Sequence, residues 1–98
     1  MDYQQTVQQL GGNQFKAMTG ATFIADGNTL VVKFKGSEKC NIVYIELNSM
    51  DLYNVSFFKY KGLNVKPVSE FENIYAEDLR GLFERQTGLR TSLTAVYA

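Results

Sequence analysis

A two-residue alternation through the middle of the chain limits the fold more than any other feature. From Thr29 to Lys35, Leu30, Val32 and Phe34 alternate with Thr29, Val31, Lys33 and Lys35. Successive side chains of a strand point to opposite faces, so this segment reads as a strand with one apolar face and one lysine-bearing face. Ile42 to Leu47 repeats the pattern, with Val43, Ile45 and Leu47 set against Ile42, Tyr44 and Glu46. Leu52 to Lys61 repeats it again, with Val55 and Phe57 set against Phe58 and Tyr60. Asp26-Gly27-Asn28 supplies residues that tolerate positive φ and therefore predicts a hairpin turn before the first of these strands. Gln14 to Thr19 and Ala21 to Ala25 read as short extended pieces separated by Gly20, and a shorter strand with Pro67 at a sheet edge follows Gly62 and Asn64.

Helical periods flank the alternating region. Tyr3, Val7 and Leu10 share one face, Asp2 with Gln5 resembles a capping box, and Gly11-Gly12 provides a stop. Ile74 to Thr87 carries Tyr75, Leu79, Leu82, Phe83 and Gln86 at helical spacing, with Gly88 at a C-cap position. Glu77 and Asp78 at its start and Arg85 at its end complement the helix dipole. The predicted fold is α+β: an N-terminal helix, an antiparallel meander of four or five strands, and a C-terminal helix packed on the sheet. Residues 1–98 form one domain, because a second core would leave each half too small. Residues 89–98 have no clear period and read as a docked or frayed tail. The expected core is Leu30, Val32, Phe34, Val43, Ile45, Leu47, Val55, Phe57, Leu79, Leu82 and Phe83.

The chemistry available is narrow. The sequence has no histidine, which removes histidine-based catalytic triads, general bases and metal sites. Cys40 is the single cysteine, so it can form neither an internal disulfide nor a multi-thiolate zinc site, and it lacks a histidine base. Glu70, Glu72, Glu77 and Asp78 read as a solubilising, dipole-complementing cluster in preference to a hard-cation site. The glycines form neither G-x-G-x-x-G nor a P-loop, since Met18-Thr19-Gly20-Ala21 has no lysine after it. No catalytic residue, cofactor or metal is expected. The N-terminus lacks the charge and apolar run of a secretory signal, and the longest aliphatic and aromatic run is four residues, Ile42 to Ile45. The expected location is the cytoplasm, without membrane association.

Ten basic residues balance ten acidic ones, which argues against a polybasic nucleic-acid binder. Their distribution is uneven. Residues 16–66 hold seven lysines against four acids, and residues 67–98 hold three arginines against five acids. The alternation places Lys33, Lys35, Tyr44, Phe58 and Tyr60 on the sheet face opposite the expected core, and these are the candidate partner-binding residues. Aromatics beside lysines suit a protein interface. They also suit base stacking with phosphate contacts, or closure of a second small core or a homodimer.

Several strings carry a resemblance: Leu10-Gly11-Gly12-Asn13 with Phe15, Met18-Thr19-Gly20-Ala21, Leu47-Asn48-Ser49-Met50-Asp51 with Tyr53, and Phe57, Lys59 and Gly62. Ile74-Tyr75, Leu79-Arg80, Phe83-Glu84 and Thr87-Gly88-Leu89 with Thr91-Ser92-Leu93 complete the set. In this combination and order, residues 10–93 resemble a family of small bacteriophage and prophage proteins. The resemblance implies a phage product acting inside a bacterium and assigns no catalytic residue. By analogy with small phage inhibitors, the expected function is non-enzymatic binding and inhibition of a bacterial protein or ribonucleoprotein, a defence complex of the kind met by anti-CRISPR or anti-restriction proteins. The alternatives are a small nucleic-acid-binding accessory protein and a dimeric assembly factor, so the chain is read as a monomer or homodimer.

Overall fold

The alternating segments pair in chain order, as short connections favour. The computed structural model describes residues 2–89. Among these, β1 (Thr22–Asp26), β2 (Thr29–Lys33), β3 (Ile42–Leu47), β4 (Tyr53–Lys61) and β5 (Asn64–Ile74) form one antiparallel sheet in the order β1-β2-β3-β4-β5. The helices α1 (Tyr3–Leu10), α2 (Gly12–Thr19) and α3 (Ala76–Thr87) complete the α+β arrangement. The core lies between helices and sheet: Leu10, Phe15, Leu79, Leu82 and Phe83 are buried together with Leu30, Val32, Val43, Ile45, Val55 and Phe57. Phe83 is its hub, with edge-to-face contacts to Phe15 at 4.8 Å and Phe34 at 4.9 Å between ring centroids. The inner face of the sheet is thereby covered, and among the described residues no helix packs on the outer face.

Three predicted elements need correction. Gln14 to Thr19 is the body of α2 and not an extended piece. Phe15 and Thr19 are buried one helical turn apart, the Thr19 hydroxyl donates to the Phe15 carbonyl at 2.8 Å, and Gly20 closes the helix in the left-handed region. The pair Gly11-Gly12 caps α1 and also opens α2, because φ of 127° and 62° turns the chain sharply between them. The expected shorter strand is β5, an 11-residue edge strand. Two register shifts against β4, between Tyr53 and Val55 and between Phe57 and Phe58, break its alternation and hide it from a period-two pattern. Pro67 does sit on this edge, where its missing N–H costs no ladder bond. Finally, Ile74 ends β5, and the exposed Tyr75 is the N-cap of α3 instead of part of its apolar stripe.

Of the expected core, Leu47 is half-buried against the cluster and the other residues are buried. The core also takes in Leu10, Phe15, Ala21, Cys40 and Tyr53. The Tyr53 hydroxyl donates to Gln9 Oε1 at 2.7 Å and lies 3.0 Å from the buried Thr6 hydroxyl, which ties α1 to β4. The expected tail, apart from Leu89, lies outside the described residues.

Candidate functional site

Cross-strand register assembles the outer face row by row, since directly paired residues of an antiparallel sheet share a face. Thr22, Lys33, Ile42 and Phe58 form one row. Ile24, Val31, Tyr44 and Ser56 form the next, and Asp26, Thr29, Glu46 and Asn54 the one beyond. Tyr60 continues the first side of the face and pairs with Val65. Val31 and Ile42 are buried at the floor, while Ile24, Tyr44 and Tyr60 stand exposed by 42–48% around them. Between these side chains runs an open groove of about 610 Å³, lined among others by Asp26, Lys33, Lys35, Tyr44 and Tyr60.

All five sequence-derived candidates therefore meet on this face. Lys33 and Lys35 flank the groove at the end of β2, and the Lys35 amide is fixed by the Thr19 carbonyl at the end of α2 at 2.9 Å. Tyr44 and Phe58 pack edge to face with centroids 5.3 Å apart. Such a pair holds both rings in place beyond their area contribution. Tyr60 is positioned by Asn41, whose side-chain amide donates to the Tyr60 carbonyl at 2.8 Å and accepts from the Tyr60 amide at 2.7 Å. This side-chain bridge continues the β3–β4 ladder past its last backbone pair.

Asp26 and Glu46 share the face and were missed as site residues. The signal was present in the alternation, because Glu46 follows Tyr44 by two positions and Asp26 lies two beyond Ile24. What the alternation lacks is the register that puts both acids in one row. Across β1 to β3 the face is consequently polarised, with lysines at one end, acids at the other and Ile24, Val31 and Tyr44 between, and that middle row runs on through Ser56 to the exposed Glu70 of β5.

Elsewhere, Cys40 is fully buried in the core cluster. Burial pushes its thiol up from the ordinary value, and the hydrogen bond with Ser37 and the charges of Lys59 and Lys39 offset part of that shift. A thiol so placed is a poor nucleophile. Among the described residues, no three acids or cysteines gather as a metal site, and no helix is long and apolar enough to cross a membrane. Every buried side-chain polar atom among them has a hydrogen-bond partner. The fold and face define an α+β scaffold with one polarised sheet surface on which no other described element packs. Compared with protein-family models, curated proteins and solved structures, the chain matches none.

Proposed function

We propose that this protein is a non-enzymatic binding module that docks its open sheet face onto a bacterial protein or ribonucleoprotein and inhibits it. The observation that carries this reading is the placement of Lys33, Lys35, Tyr44 and Tyr60 around one groove, with Phe58 packed edge to face on Tyr44 beside it and the Tyr60 backbone held by Asn41. Rigid aromatics lose little entropy on contact and serve as anchors, while lysines steer the encounter. Asp26 and Glu46 on the same surface disfavour a polyphosphate partner and favour a protein surface of mixed charge. The partner expected from the phage-protein resemblance is a host defence complex in the bacterial cytoplasm.

The test is affinity capture from a bacterial lysate, with and without nuclease, using the parent chain and the Tyr60→Ala/Lys33→Glu variant. A bacterial protein retained by the parent, identified by mass spectrometry and lost with the variant while circular dichroism is unchanged, supports the reading. Equal retention by both overturns it.

A further inference from the structure

The open face is complementary to itself, and we propose that in the absence of its partner it is occupied by a second copy of this chain, packed face to face about a two-fold axis. The proposal rests on reading this face as a docking surface and names its occupant in the free protein. The register supplies the argument. Asp26 and Glu46 flank Thr29 in one row, and Lys33 lies on the same strand as Thr29, four positions away. Four residues of strand span about 13 Å, and the row halfway between them holds Ile24, Val31 and Tyr44.

Two two-fold axes lay this face on a copy of itself with the strands of the two sheets aligned. An axis parallel to the strands preserves the rows, and so sets acids against acids and lysines against lysines. An axis along the apolar row reverses the strands and keeps each strand over its counterpart. Lys33 of one copy then stands over Thr29 of the other, between that copy's Asp26 and Glu46. The same contact recurs on the other side of the axis, while the exposed Ile24 and Tyr44 meet their own copies over the buried Val31 at the centre and Glu70, at the β5 end of that row, meets its own at the rim. Face-packed sheets lie about 10 Å apart, a gap that an extended lysine and a facing carboxylate side chain span together. The row-to-row charge of β1 to β3 thus selects one of the two arrangements, and the exposed Ile24 and Tyr44 give it an apolar centre.

Sedimentation equilibrium over a range of concentrations tests this with three chains: the parent, Lys33→Glu, and Asp26→Lys/Glu46→Lys. All three positions are in the sheet, and circular dichroism checks that each variant is folded. The parent is expected to approach twice its 11.1 kDa mass as concentration rises. Each variant alone sets like charges against one another and is expected to dimerise at least about tenfold more weakly. An equimolar mixture of the two variants restores the opposite-charge contacts and is expected to recover the dimer. A parent that stays monomeric throughout overturns the proposal, as does a dimer that Lys33→Glu leaves intact or that the mixture fails to restore. A monomer that still captures its bacterial partner through Lys33 and Tyr60 overturns this inference alone. A dimer that captures nothing overturns the proposed function alone.

Discussion

Replacing Phe83 removes the hub through which α3 is seated on the sheet. Its side chain is 1% exposed and makes edge-to-face contacts with Phe15 of α2 and with Phe34 just beyond β2, as well as a longer contact with Phe57 of β4. Phe83→Ala loses the transfer free energy of the ring and leaves a cavity that three separate elements border, so collapse is limited. Substitutions of this kind cost about 3–5 kcal/mol. A domain of this length is stable by only about 5–15 kcal/mol, so the variant is expected near the limit of folding. Phe83→Leu separates the components, because it keeps most of the volume while discarding the two edge-to-face pairs. At about 0.5–1.5 kcal/mol each, those pairs predict a loss of about 1–3 kcal/mol. Urea unfolding followed by far-ultraviolet circular dichroism reads both values, provided the slope with denaturant is unchanged. Each kcal/mol should also lower Tm by about 4–8 °C. A Phe83→Ala loss below about 1 kcal/mol, or a Phe83→Leu loss as large as that of Phe83→Ala, would refute the account of Phe83 as a packed hub.

Two further outcomes are expected. Tyr53→Phe removes the hydroxyl shared by Gln9 and Thr6, leaves the Thr6 oxygen with its bond to the Asp2 carbonyl alone, and should cost about 0.5–1.5 kcal/mol in the same unfolding assay, whereas a neutral result would mean that the α1–β4 tie is unimportant. The raised Cys40 pKa lowers the thiolate fraction at any given pH, so with its burial native Cys40 should react with a thiol reagent at least about a hundredfold more slowly than the urea-unfolded chain. The linkage has a definite sign: the native state holds the thiol proton more tightly than the unfolded chain, so this contribution to stability is intact below the ordinary thiol range and is lost as pH rises through the raised value. Fast native labelling would place Cys40 outside the core.

The alternation around Val32, Ile45 and Phe57 was enough to determine three strands, their inner face and the antiparallel α+β class, because side-chain parity is a local property of extended backbone. The stripe of Leu79, Leu82 and Phe83 likewise identified the last helix and its buried side. Local pattern was insufficient where two periods compete over a short segment. Gln14 to Thr19 is too short for periodicity alone to separate strand from helix, and the packing of Phe15 on Phe83 sides with the helix. In β5, the register shifts opposite Tyr53–Val55 and Phe57–Phe58 change the parity of the strand, and such shifts exist only relative to its partner. The candidate face divides in the same way. Parity placed Lys33, Lys35, Tyr44, Phe58 and Tyr60 on the outer side from sequence alone. That Asp26 and Glu46 fall in one row, at the opposite end from Lys33, was decided by the hairpin turn and the pairing of β2 with β3. Parity is set by each residue's immediate neighbours, whereas alignment between strands is set by contacts distant in the chain.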